Sequence, residues 1–210
     1  MVRFGALVAL VVVLTACQNE SHPAFSPAPS PSPHITPAAA ILQPGEAPAG
    51  YTPCVGSNQP IDVYVSVMNG FDTTMGQRLA TYWNDLVADG AHSGAISVYA
   101  AGDAACSAEF GAAGVGALTS VVIRFGDSGE ADRAWQAGAF GFVPPAVAQL
   151  QTGMTRGTAT GLGLSSFTYE RPSVRLASWR RNFYVALVIA TNLDSNTFQA
   201  ATALINARLN

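Results

Sequence analysis

Phe183-Tyr184-Val185-Ala186-Leu187-Val188-Ile189-Ala190 is an eight-residue run without a charge, bounded by Asn182 and Asn192. Successive residues of a strand point to opposite faces, so a half-buried strand alternates apolar and polar side chains. This run is apolar on both faces. It predicts a central strand covered on both sides, by helices or by a second copy of the chain.

On its C-terminal side, a helix from about Ser195 brings Phe198, Ala201, Ile205 and Leu209 onto one face. On its N-terminal side, residues 165–171 alternate Phe167 and Tyr169 with polar residues, and a further strand over 174–179 follows Pro172. The same order occurs earlier in the chain. Short β-prone runs at 95–99, 107–110 and 120–125 are separated by Gly-rich connections. A helix follows behind Asp127 and Glu130, turns Ala131, Ala134, Trp135 and Gly138 to the sheet, and stops before Pro144-Pro145. Setting 120–138 beside 184–203 aligns strand, Asp-bearing turn and helix. An amphipathic helix over 73–89 precedes both units, with Met75, Leu79, Tyr82, Trp83, Leu86 and Val87 on its apolar face and Thr74…Gln77 at capping-box spacing. The expected fold class is α+β: one helix followed by two β-β-β-α units that form a mainly antiparallel sheet packed with helices.

The N-terminus has one cation, Arg3, then an apolar and small-residue run over 4–16 that ends in Leu14-Thr15-Ala16-Cys17. Roughly 13 residues fall short of the about 20 that a membrane-crossing helix needs, which favours a cleaved leader. The closing tetrad resembles the lipobox of bacterial lipoproteins. That resemblance implies removal of residues 1–16, a lipid on Cys17, attachment to the membrane through that lipid, and residence on its extracytoplasmic face. Residues 17–50 are rich in Pro, Ala and Ser, as in Ser26-Pro27-Ala28-Pro29-Ser30-Pro31-Ser32-Pro33, and include His22 and His34. Such a stretch favours polyproline II at about 3.1 Å per residue and reads as a stalk of up to roughly 100 Å. The expected division is leader 1–16, lipidated Cys and stalk 17–50, globular domain 51–210.

The chain has 210 residues, 49% hydrophobic and 11% charged, which excludes disorder throughout. About 160 residues after the stalk suffice for one core. All ten basic residues are Arg and the net charge is -3, which argues against nucleic acid as a partner. Cys54 and Cys106 remain after the leader, on the oxidising side of a membrane, and are a natural disulfide pair. The bond would close a loop of about 50 residues, contribute on the order of 4 kcal/mol, and clamp residues 51–60 to the domain. Neither Cys stands in a CxxC, so a redox or metal role is not expected.

His92 lies near Asp89 and Ser93. Close neighbours in a loop diverge, whereas a triad needs side chains that converge, so no catalysis is expected. Gly111, Gly114 and Gly116 stand before a strand, as do Gly161 and Gly163, and lack the strand-to-helix context of a phosphate loop. They read as turns or close backbone approaches. Asp85 and Asp89 form a solvated helix face. Asp127, Glu130 and Asp132 suit a helix N-terminus, and no calcium-loop spacing is present. Neither metal nor cofactor is expected.

One constellation rises above this background. Arg171, Arg175, Arg180 and Arg181 fall among Tyr169, Trp179 and Tyr184. Such a set suits bidentate binding of a carboxylate, phosphate or anionic head group, and equally an exposed hairpin tip whose Arg stems cover apolar surface. Direction separates the two: in a strand Arg175 and Trp179 share a face, so a common patch requires that face to be open. The candidate ligand-binding set is Arg171, Arg175, Trp179, Arg180 and Arg181.

With Gly161-Leu162-Gly163 before its strands and Arg181-Asn182 opening the long strand, the second unit is similar to α+β sensor-type or ligand-binding domains of actinobacterial surface lipoproteins. The similarity implies a binding module and carries over no site residue; the arginines make a small anionic ligand the expected partner, with an envelope protein as the other, and no catalysis is expected. The alternatives are an envelope lipoprotein that self-associates through its sheet as a homodimer and, third, an envelope hydrolase built on His92. The intact mass of the mature chain tests the leader reading: loss of residues 1–16 and a diacylglyceryl group on Cys17 are expected, with Cys17→Ala lacking the lipid mass. A wild-type chain that keeps residues 1–16 or has no lipid contradicts it.

Overall fold

The computed structural model describes residues 34–102, residue 106 and residues 114–210. The leader, Cys17, His22, Gly111 and the expected strand over 107–110 lie outside the described residues. In chain order the described elements are α1 (Pro37–Ala40), β1 (Thr52–Pro53), β2 (Gln59–Pro60), α2 (Ile61–Phe71), α3 (Thr73–Ala88), β3 (Ala91–Ala100), β4 (Ala117–Phe125), α4 (Ser128–Ala137), β5 (Met154–Arg156), β6 (Ser166–Glu170), β7 (Val174–Arg181), β8 (Tyr184–Thr191) and α5 (Ser195–Arg208). The fold is α+β. One eight-stranded sheet runs in the order β1-β3-β4-β8-β7-β6-β5, with β2 also on β3, and every pairing is antiparallel.

The run at 183–190 is the central strand β8, hydrogen-bonded to β4 on one side and β7 on the other. Its odd residues Val185, Leu187 and Ile189 pack with Ile96, Val121, Ile123 and Phe125 under α2, α3 and α4. Its even residues Ala186, Val188 and Ala190 pack with Tyr99, Leu118, Val122 and Trp179 under α5 and the N-terminal segment. Helices of the same chain therefore supply the covering layers, three on one face and α5 with the segment on the other. β4 leads to α4 through residues 126–127, and β8 leads to α5 through residues 192–194, in which Asn192 takes a positive φ of 48°. The two helices land on opposite faces of the sheet.

Local chemistry accounts for the helix ends. Asp127 caps α4, its Oδ1 accepting the Gly129 and Glu130 amides at 2.7 and 2.8 Å. Those two bonds hold the Asp127 carboxyl below its ordinary value. Asp194 caps α5 through the Thr197 side chain and amide. The cap of α3 differs from expectation: Asp72, and not Thr74, accepts the Met75 amide at 3.0 Å. Val87, expected on the apolar face, is 47% exposed, because the stripe that meets the core runs through Met75, Leu79 and Leu86. Helix α2 was not expected at all. Its buried Ile61, Tyr64, Val65 and Met68 nevertheless have helical i, i+3, i+4, i+7 spacing.

The largest departure concerns the expected stalk. Residues 35–50 are part of the fold, and Ile35–Asn210 form one compact unit. Ala40, Ile41 and Leu42 are completely buried. Pro and Ala forecast little regular structure, and this segment has only the single turn α1 and a 3-10 turn over Pro44–Glu46. Burial requires instead that each backbone polar group find a partner, and side chains provide them. The Leu42 amide donates to Ser120 Oγ at 3.0 Å, which lies 2.6 Å from Ser97 Oγ. The Leu42 carbonyl accepts from Asn58 Nδ2 at 2.8 Å and Tyr99 Oη at 3.2 Å. Tyr184 Oη donates to the Ile35 carbonyl at 2.6 Å, and Arg208 donates to the Ile41 carbonyl at 2.9 Å. Arg208 also pairs with Glu46, so the first and last parts of the unit are tied by an ion pair.

The Cys54–Cys106 disulfide is present, with Cα atoms 5.4 Å apart and a sequence separation of 52. It fastens the chain beside β1 to the connection that follows β3, as the expected clamp over 51–60 requires.

Leu42→Ala is expected to cost about 2–5 kcal/mol in denaturant unfolding, whereas Ala49→Ser, at an exposed position of the same segment, should stay within about 0.5 kcal/mol. Equal small effects would return the segment to the stalk. Burial pushes the Glu46 carboxyl up, but the Arg208 hydrogen bond, the Gln43 amide and the Arg208 charge outweigh it and leave the group below its ordinary value of 4.5. A carboxyl lowered by folding stabilises above its unfolded pKa and loses that contribution as pH falls through the folded one. Melting temperature should therefore drop below about pH 4.5 less steeply in Glu46→Gln than in wild type. Parallel slopes would contradict the ion-pair account.

Candidate functional site

The five residues of the expected patch are separated by the period of β7. Arg175, Trp179 and Arg181 point to the face that α5 covers, and Arg180 points to the face that α4 covers. Trp179 is fully buried in the core and presents no stacking surface. Arg180 Nε lies 3.0 Å from Asp132 Oδ1 on α4. Arg181 donates to Asn206 Oδ1 on α5 at 2.9 Å. Arg175 hydrogen-bonds the Pro172 and Leu193 carbonyls and lies 3.8 Å from Glu170 Oε2. Arg171 is exposed, with its guanidinium 5.9 Å from the centre of the Tyr169 ring. These residues do not form a common site. The physical reason is the one that strand direction anticipated: the face shared by Arg175 and Trp179 is closed by α5, and the guanidinium groups stitch helices and loops to the sheet.

His92 is an exposed residue where β3 is bulged against β4, between Ala91 and Ser93. Asp89 terminates α3. Among the described residues no hydrogen bond joins His92 to Asp89 or Ser93, so the three do not converge. Gly161 and Gly163 take φ values of 75° and 112° in the connection before β6, as turns. A Cβ on Gly116 would sit 2.6 Å from Tyr51 Oη, a close backbone approach.

A cleft of about 420 Å³ lies beside the edge of the same sheet. β5 and β6 form one wall, the connection at 157–162 the rim and α5 the other wall. Thr155 and Thr168 are Cα partners across β5 and β6 and point the same way. Both line the cleft, together with Glu170 from the end of β6 and Gln199, Thr202 and Asn206 from successive turns of α5. Phe198, 2% exposed, lies at its apolar base. Part of this polar set is committed internally. Thr202 Oγ1 donates to the Phe198 carbonyl at 2.8 Å, Ser195 Oγ donates to Glu170 Oε2 at 2.8 Å, and Gln199 Nε2 donates to Ser195 Oγ at 3.1 Å. Thr160 at the rim is held 2.6 Å from Ser166 Oγ. The Thr155 and Thr168 hydroxyls, Gln199 Oε1 and Asn206 Nδ2 accept or donate no hydrogen bond among the described residues.

Among the described residues this lining contains hydroxyls, amides and one carboxylate, and no Cys, His, Lys or Arg. It can bind a ligand by hydrogen bonding. Among those residues no nucleophile is paired with a base. Sequence reasoning passed it over because its walls come from three segments separated by up to about fifty residues, and threonines are ordinary strand residues. The only advance signal was the alternation of Ser166, Thr168 and Glu170 on one face of a strand next to a helix with polar Gln199 and Asn206. No protein-family model matches the chain, and searches of curated proteins and of solved structures likewise found no match.

Proposed function

We propose that this chain is a lipid-anchored, extracytoplasmic binding module that holds a small neutral ligand, rich in hydroxyl or amide groups, in the threonine-lined cleft, and performs no reaction. The observation that carries this reading is the pairing of Thr155 with Thr168 opposite Gln199 and Asn206 over the Phe198 base. Small-molecule sites combine an apolar floor with a few placed polar groups, and this cleft has that composition. The anionic ligand expected from the arginines loses its basis once Arg175, Arg180 and Arg181 are engaged with Glu170, Asp132 and Asn206. Glu170 in the wall further favours a neutral ligand over an anion. Self-association through the sheet rested on the doubly apolar strand, and that strand is covered on both faces by this chain's own elements. The anchor rests on the tetrad at 14–17.

Native mass spectrometry of the full chain, extracted in mild detergent from an oxidising compartment, tests the reading. A retained neutral organic mass is expected in wild type. Loss of two neutral hydrogen bonds at about 0.5–1.5 kcal/mol each should weaken its retention roughly tenfold in Thr155→Val/Thr168→Val, with an unchanged melting temperature. A wild type that emerges bare, or a double variant that retains the compound equally, contradicts the reading.

A further inference from the structure

On the reading that the threonine-lined cleft holds a small neutral ligand, the direction of its open hydrogen bonds selects the class of that ligand. Ser195 Oγ sets the direction at one end. It donates to Glu170 Oε2 at 2.8 Å and accepts from Gln199 Nε2 at 3.1 Å. The second bond consumes the donor end of the Gln199 amide and leaves its carbonyl oxygen to the cleft. Glu170 keeps Oε1, which has no hydrogen bond among the described residues, and an ionised carboxylate only accepts. One serine oxygen touches both groups, so the two open acceptors, Gln199 Oε1 and Glu170 Oε1, belong to neighbouring side chains. Arg175 Nε, 3.8 Å from Glu170 Oε2, offsets the carboxylate charge from within the fold. What Glu170 still offers is a lone pair.

At the far end of the helical wall the polarity is reversed. Arg181 donates to Asn206 Oδ1 at 2.9 Å, so Asn206 turns its Nδ2 donors to the cleft. Asn206 stands two turns beyond Gln199, about 10 Å along α5. From the sheet, Thr155 and Thr168 face each other across β5 and β6, with Cβ atoms about 4.5–5.5 Å apart. Each hydroxyl donates or accepts as its partner requires. Leu162 and Phe198, buried, supply apolar surface, and Ala159 and Ala203 add small methyl groups.

A ligand that buries this set must donate to two neighbouring acceptors and accept at the other end. Polar groups that it leaves unpaired weaken the complex. A carboxylate or phosphate has no proton for either oxygen and is repelled by Glu170. An extended peptide presents each N–H beside a C=O on the same edge, so a donor that reaches one acceptor brings a carbonyl against its neighbour. Adjacent hydroxyls on a ring behave differently. Each oxygen brings its own proton, so neighbouring donors meet neighbouring acceptors, and the same kind of group accepts from threonine and Asn206.

Resting on the binding reading above, we infer that the ligand is a polyhydroxyl ring of the sugar class. Two adjacent hydroxyls donate to Gln199 Oε1 and Glu170 Oε1, further hydroxyls meet Thr155, Thr168 and Asn206, and the C–H surface of the ring lies against Leu162 and Phe198. A cleft of about 420 Å³ is of ordinary size for a small-molecule site.

The compound that the full chain retains on extraction in mild detergent from an oxidising compartment supplies the test. Periodate splits the carbon–carbon bond between adjacent hydroxyl-bearing carbons. Released from the protein and treated with periodate, the compound should change mass and no longer rebind. Gln199→Met, at an exposed position, keeps the side-chain length and removes the acceptor. Retention should then fall roughly two- to tenfold, with an unchanged melting temperature. The periodate result needs no variant, so it stands even if the substitution disturbs α5. A retained neutral compound that periodate leaves intact, or one that Gln199→Met holds equally well, overturns the sugar assignment and leaves the binding reading in place. A wild type that emerges bare contradicts the binding reading itself, and the assignment with it.

Discussion

Two neighbouring strands, β4 and β8, are buried on both faces, and the rest of the architecture answers the need to cover them. Val185, Leu187 and Ile189 place large side chains on one face, where α2, α3 and α4 stack. Ala186 and Ala190 place small ones on the other, where α5 and the extended N-terminal segment lie. Each fully buried aliphatic side chain contributes roughly 1.5–3 kcal/mol. Leaving either face open would forfeit several such contributions and expose a broad apolar surface to association. The unit 35–210 avoids this by drawing on its first and last parts, and Arg208 with Glu46 holds those parts together.

The strands of the second unit, the central one among them, and the last helix were legible from their patterns: an unbroken apolar run in the doubly buried β8, a period of two in β6, and one of 3.6 in and just after α5, where Phe198, Ala201, Ile205 and Leu209 are all buried. Asp127 before α4 was legible as a cap for an equally local reason. Residues 35–50 were not. Composition there states that the backbone forms little helix or strand, which is correct. It does not state whether Ile41 and Leu42 dock elsewhere, and that depends on Ser120, Asn58, Tyr99 and Arg208, at separations of 16 to 167 residues. An Ile-Leu pair at the end of a proline-rich stretch was the available cue. Helix α2 was missed because its Val and Ile content favours strand, although the spacing of its buried residues favours helix.

For the site, abundance misled where direction would have served. Four arginines within eleven residues drew notice, but alternate residues of a strand serve opposite faces, and each guanidinium there except that of Arg171 is spent on a structural partner. The groups that are open to a ligand are, apart from one Glu170 oxygen, uncharged and drawn from β5, β6 and α5. On α3, Asp85 and Asp89 read as a solvated helix face. Both acids are exposed as that reading expects.

The central claim is that the N-terminal segment is part of the core and not an extension of a stalk. Native-state hydrogen exchange of the Leu42 amide, compared with that of Val188 in β8, tests it most directly, since protection reports whether an amide opens locally or only with global unfolding. The account predicts that both exchange at the same slow rate, limited by unfolding of the whole unit. A Leu42 amide that exchanges orders of magnitude faster while Val188 remains protected would contradict it.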